Sequence, residues 1–142
     1  MPNFSKRHVA RSKLTTWAFV LAILMVSGVV ISQSIGPTES TKATNKLLAT
    51  IDIASEIPDI AGRQLRARTV MVEPGGKLAV HSHKGRPTLE YVVQGSIVEI
   101  RNGVEVPHVL GDLIVGSQEV THWWENRSSA VAVLLPVDIF KP

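Results

Sequence analysis

From residue 48 to the end of the chain, apolar and polar positions alternate in short runs separated by glycine, proline and asparagine. Alternation of this kind predicts half-buried β-strands rather than helices. Strands are predicted over 49–54, 65–72, 78–83, 88–94, 96–101, 104–110, 113–115, 120–124 and 130–140. The breaks fall at Pro58 and Gly62, Pro74-Gly75-Gly76, Lys84-Gly85-Arg86-Pro87, Gly95, Asn102-Gly103 and Gly111-Asp112. Asn102-Gly103 is the sharpest of these, because both residues tolerate the positive φ that a two-residue hairpin turn demands. No segment after Leu48 has a helical period. Closely spaced strands without intervening helices point to an all-β sandwich or barrel, a single domain over 48–142.

The first residues follow a different pattern. Lys6, Arg7, Arg11 and Lys13 precede an almost wholly apolar run from Trp17 to Ile31, followed by Ser32-Gln33-Ser34. Basic, then apolar, then small residues is the order of an export signal, so 1–34 is read as a signal peptide or an N-terminal membrane anchor, in either case an apolar helix. The run is short for a span of about twenty residues, but 14–35 stretches far enough if its hydroxyl residues are tolerated. Either version places the domain outside the cytoplasm, in the periplasm or cell exterior of a bacterium, with an anchored form held at the inner membrane by residues 14–35. Residues 35–47, rich in Ser, Thr and Pro, read as a flexible linker.

Charge changes the picture once the ends are separated. The chain has a net charge of +3, but residues 1–34 hold four of its 15 basic residues and none of its 12 acidic ones. The remainder is nearly neutral, without the basic block that nucleic-acid binding requires. The sequence contains no cysteine, so an exported domain must rely on core packing and not on disulfides.

The candidate chemistry lies in histidines. His81 and His83 are two apart on a predicted strand and so project from the same face, where both imidazoles can reach one ion. His122 arrives about forty residues later in a second Gly-bounded stretch.

These two stretches resemble the paired motifs of the cupins, small β-barrels of the jelly-roll type. Gly75, His81, His83 and Gly95 match the first motif, and Gly111, His122 and Asn126 match the second, where Ser117 and Glu119 replace the usual Pro and Gly. The resemblance covers about residues 48–140. It implies a metal bound by His81, His83 and His122. The motif glutamate, however, is absent: Thr88 stands in its place, and a threonine hydroxyl is a poor ligand. Glu90, two residues on, shares a strand face with Thr88 but is displaced by about 7 Å along the strand. Glu90 is therefore read as a substitute ligand or as a group just behind the ligands.

Thr88, Gln94, Trp124 and Asn126 share the pocket-facing parity and are predicted to line the site. Gln94 would sit at the rim and Trp124 would form a wall. Trp123 and Tyr91 have the opposite parity and are assigned to packing or an interface. Arg66 and Arg68 share a face of an early strand, where they could clamp an anionic substrate but are read first as solvent-facing; His108 is read as a surface residue and His8 as part of the export segment. Three neutral imidazoles suit iron, zinc, nickel or copper, and the loss of the glutamate charge weakens the case for a harder ion such as manganese. The expected function is an exported small cupin holding one divalent transition metal beside a small-molecule pocket. If catalytic, it would be a dioxygenase-like oxidoreductase; the alternative is a non-catalytic metal-binding or small-ligand-binding and sensing module. A homodimer is expected from the resemblance alone, and contact with a membrane only through the N-terminal segment.

Cleavage after Ser34 predicts that mass spectrometry of the protein from its native host finds a mature N-terminus at or near Ile35. An intact N-terminus in the membrane fraction would instead indicate the anchor, and full-length protein in the cytosol would rule out both.

Overall fold

The computed structural model describes residues 36–60 and 62–142. The export or anchor segment read over 1–34 lies outside them. Every regular element among the described residues is a strand: β1 (Thr41–Asp52), β2 (Gln64–Ser82), β3 (Thr88–Gln94), β4 (Ser96–Arg101), β5 (Val104–Val109), β6 (Leu113–Gly116), β7 (Thr121–Glu125) and β8 (Ala132–Phe140). They form one curled antiparallel sheet in the order β5-β4-β7-β2-β8-β3-β6, with β1 added on β2.

The longest strand explains the curl. The first part of β2 pairs with β8, Gln64 opposite Phe140 through Val72 opposite Ala132. Its last part pairs with β7, Lys77 opposite Glu125 and His81 opposite His122. Between them lies Pro74-Gly75-Gly76, predicted to break the strand. The chain bends there without reversing, so the predicted strands 65–72 and 78–83 are halves of one element. Gly75 takes a φ of +72°, which is open to glycine at little cost. Its N–H donates to the Asn126 carbonyl at 2.8 Å, and the Asn126 N–H donates to the Gly76 carbonyl at 3.0 Å. A Cβ at Gly76 would lie 2.7 Å from the Lys42 carbonyl oxygen, so nothing larger fits where β1 crosses the bend.

Two further expectations are corrected. Residues 41–47, read as linker, belong to β1, which pairs with β2 from Thr41 to Asp52. Nearly all of β1 is exposed, so it has no buried face to impose alternation, and backbone pairing to a neighbouring strand holds it in place. Asn126, predicted to face the pocket, is fully buried and satisfies its own polar groups instead. Its Nδ2 donates to the carbonyls of Val72 and Ala130, both at 2.8 Å, and its Oδ1 accepts from the Ser128 N–H and hydroxyl. Asn126 keeps the inward parity of His122 and Trp124, but it lies at the bend and its amide is taken up by the backbone there, so it does not line the cavity.

The inward faces of the sheet form a core of Val70, Val72, Val92, Ile97, Ile114, Trp124, Ala132 and Leu134. Along β3 and β8 the inward pairs change character in steps, from Val92 opposite Leu134, through Glu90 opposite Pro136, to Thr88 opposite Asp138. One end of the barrel is therefore apolar and the other polar. On the outer face, Leu89, Tyr91, Leu113 and Val115 remain exposed on the paired strands β3 and β6. Among the described residues no helix is long and apolar enough to cross a membrane.

Asn126 ties the end of β7 to the bend in β2. Replacing it by alanine leaves the buried Val72 carbonyl without its donor, and the expected loss is about 1–3 kcal/mol of unfolding free energy. Urea denaturation measures this, and an unchanged midpoint would show that the bend holds without the clamp.

Candidate metal centre

The polar end of the barrel is built by three strands. β2 delivers His81, and His83 follows directly after its last residue, where the His83 N–H donates to the Val120 carbonyl at 2.9 Å. β7 delivers His122 directly opposite His81, and β3 delivers Glu90. One ligand atom from each of His81, His83, Glu90 and His122 lies within 4.8 Å of all the others. His83, His122 and Glu90 are buried, and His81 is partly exposed.

The far nitrogens of the rings orient them. His81 Nδ1 lies 2.9 Å from the Ala79 carbonyl oxygen and His83 Nδ1 lies 3.3 Å from that of Arg86. His122 Nδ1 meets the Glu99 carboxylate. An oxygen acceptor at each Nδ1 assigns the proton to that nitrogen and leaves a bare lone pair on each Nε2. The three Nε2 atoms point at one another, with His122 Nε2 2.9 Å from that of His83 and 3.1 Å from that of His81. With the protons on Nδ1, these close pairs are not hydrogen bonds; they are converging lone pairs, an arrangement that a cation relieves. Two imidazole nitrogens each about 2.05 Å from one ion lie about 2.9 Å apart at a right angle and about 3.3 Å apart at a tetrahedral one. The donor set therefore fits an ion with open positions opposite the histidines.

Burial, with the neighbouring histidines adding to it, lowers His81 and His83 to pKa values of about 4. Both are neutral, as ligands must be, through the physiological range. Glu90 Oε1 lies 3.8 Å from His83 Nε2. Its two-residue offset from the motif position thus leaves the carboxyl facing the imidazoles, and burial raises its pKa. Thr88, which occupies the motif position, is buried, and its hydroxyl donates to the Val137 carbonyl at 3.2 Å. Its side chain and the His83 ring both lie where a Cβ on Gly116 would be, at 2.5 and 2.8 Å, so Gly116 leaves room for both.

A cavity of about 240 Å³ opens beside His81, and Arg68, Arg86, Glu90 and Trp124 are among its walls. Trp124 packs edge-on against His122 with centroids 5.0 Å apart and also belongs to the core. Gln94, predicted at the rim, is exposed and turned toward the Val131 carbonyl. A register irregularity between Val92 and Gln94 removes it from the inward parity. Tyr91 is exposed on the outer face, and Trp123 is partly buried.

Sequence reasoning missed Glu99. This buried carboxylate accepts from His122 Nδ1, from Arg101 at 2.7 Å and from His108 Nε2 at 3.1 Å. Burial alone would raise its pKa, but the hydrogen bonds from His122, Arg101 and His108 hold it at about 2. His108 is correspondingly half-buried and joined to His122 through Glu99, not a free surface residue. The sequence carried little sign of this, because Ile97 and Ile100 are both buried on β4 and mask the parity of Glu99. Arg66 and Arg68 are likewise not simply solvent-facing: with Arg86 they converge on buried Asp138. Asp138 could have been found, since it continues the inward parity of Ala132, Leu134 and Pro136.

A family model described as a cupin domain matches residues 68–139. The chain belongs to the cupin family. Among solved structures, this cupin is similar to a predicted oxalate decarboxylase from Thermotoga maritima, with 20% identity and a TM-score of 0.57 over 78% of this chain and 98% of that one. It is also similar to the polyketide cyclase RemF from Streptomyces resistomycificus, with 23% identity and a TM-score of 0.57 over 72% and 68%. A cupin 2 conserved barrel domain protein from Salinispora arenicola matches with 16% identity and a TM-score of 0.53 over 68% and 74%. At these identities the likeness is one of fold. No curated protein matches the chain in sequence.

The depressed histidines give the metal-free cupin a pH dependence. In the unfolded chain His81 and His83 take up protons below about pH 6.5, but in the folded chain only near pH 4. The unfolded state therefore binds more protons in that window, and stability falls as pH drops through it. Urea midpoints of chelator-treated protein should decline between those limits, and the decline should shrink when both histidines are replaced by glutamine. A flat midpoint in the wild type would contradict the assignment.

Proposed function

We propose that this cupin holds one divalent transition metal through His81, His83 and His122, with Glu90 facing the ion, and takes a small molecule into the adjoining cavity. The observation that carries this reading is the convergence of three Nε2 lone pairs, each ring oriented by an oxygen at its Nδ1. Imidazole ligands suit iron, zinc, nickel or copper. When bound, such an ion supplies Lewis acidity and, for iron or copper, one-electron chemistry toward oxygen. We read the chemistry as that of a dioxygenase-like oxidoreductase, because three protein nitrogens leave positions for further ligands.

The chain's own residues have distinct parts in this reading. Glu99 orients His122 and increases the basicity of its Nε2. Glu90, buried and with a raised pKa, holds or accepts a proton beside the ligand. A proton-handling carboxyl at that position supports an enzyme over the alternative, a non-catalytic module that binds or senses a metal. Trp124, Val70 and Leu134 exclude water from the inner wall of the cavity.

Metal analysis of protein purified without added ions tests the centre. Metal content should collapse in His83→Ala and His122→Ala and stay within a few-fold of wild type in His108→Ala, which acts only through Glu99. For Glu90→Gln the affinity should fall by about ten- to a hundredfold, less than in the histidine variants. Equal metal content in wild type and both histidine variants would remove the site.

A further inference from the structure

The cavity beside the histidines holds more positive charge than its partners neutralise. Arg66, Arg68 and Arg86 all donate to one carboxylate, that of Asp138. Arg66 binds it through Nε at 3.0 Å and Nη2 at 2.8 Å, and Arg68 Nη2 and Arg86 Nη1 each reach Oδ2 at 3.2 Å. Asp138 is buried, and although burial would raise it, these arginines hold it ionised below the ordinary carboxylate range. One carboxylate balances one guanidinium of the three. Arg66 takes the bidentate contact and also lies over the Phe140 ring, 3.8 Å from its centroid. Arg68 and Arg86 make only single contacts, and both line the cavity that contains His81 and Glu90.

Arg68 carries the strongest sign. Its side chain is only 12% exposed, yet its buried Nε–H has no acceptor. That nitrogen is closed off from the cavity, so an oxygen anion there meets only the exposed part of the Arg68 guanidinium, and it is the charge left unbalanced by Asp138 that favours the anion. Glu90, the acidic group facing this space, has its carboxyl turned toward His83. The cavity volume is below the roughly 300–1,000 Å³ of pockets for drug-sized ligands, so the anion is small.

We propose that Arg68, with Arg86 beside it, receives the carboxylate of a small organic acid in the cavity next to the three histidines. The ligand of this cupin is then a small carboxylate whose remaining polar atoms face the histidine cluster. This rests on the metal-centre reading for the role of the histidines but not for the anion site itself. Asp138 positions both guanidiniums, and Trp124, which shares the cavity, reports on its occupancy.

Glycolate is the probe and glycolamide its neutral counterpart. Both are titrated into full-length protein, metal-loaded and metal-free, with tryptophan fluorescence as the readout and metal content measured in parallel. Glycolate should perturb the fluorescence of the wild type at concentrations where glycolamide does not. Arg68→Gln and Arg86→Gln should each weaken glycolate binding by roughly ten- to a hundredfold, the loss of one charge-assisted hydrogen bond. Lys84→Gln, which removes an exposed charge, should not weaken it. Circular dichroism and metal content identify any variant that has merely unfolded, and Arg86→Gln keeps the test open if Arg68→Gln does so. Glycolate binding equal in wild type and both arginine variants, equal binding of glycolamide, or no binding of glycolate to the wild type would overturn the proposal. Loss of the metal site alone, with glycolate still dependent on Arg68, would sink the metal-centre reading and leave the anion site standing.

Discussion

The bend in β2 is the constraint on which the site depends. A straight strand of 19 residues could not bring Arg68 and His81 to the same cavity. Gly75 turns the backbone, Gly76 lets β1 cross closely, and Asn126 bonds to both sides of the bend. The two halves of β2 thereby join different partners, β8 before the bend and β7 after it. Arg68 and Val70 come from the first half and Leu78 and His81 from the second, and the cavity lies between them.

Two buried carboxylates then organise the polar end in different ways. Glu99 gathers His122, His108 and Arg101, so its charge is spent on orienting one imidazole. Asp138 gathers three arginines and leaves the cavity wall electropositive. Both would be costly to bury alone, and both are tolerated because hydrogen-bonded cations surround them. The apolar end of the barrel, from Val92 and Leu134 toward Val72, supplies the packing that a domain without disulfides requires.

The histidine pair was readable because strand alternation is a local rule: residues two apart share a face wherever the strand is regular. The same rule placed Glu90 inward, two residues from Thr88. It failed at Gln94, where a register irregularity breaks the alternation, and it could not tell that inward-facing Asn126 serves the bend and not the cavity. It also failed for β1, since a strand exposed on nearly every residue has no buried face to mark it. Glu99 and His108 were missed for another reason. Their partnership is made across strands, and no spacing along the chain encodes it.

The sequence by itself determined an all-β fold, most of its turns, and a cluster of histidines able to share one face. These follow from alternation and backbone preference, which act over a few residues. Only the tertiary structure decided that Pro74-Gly75-Gly76 bends a strand without ending it. It also decided that three Nε2 atoms meet, and that three arginines share one aspartate. Each of these depends on which strands pair and in what register, and register is settled by burying the whole sheet at once.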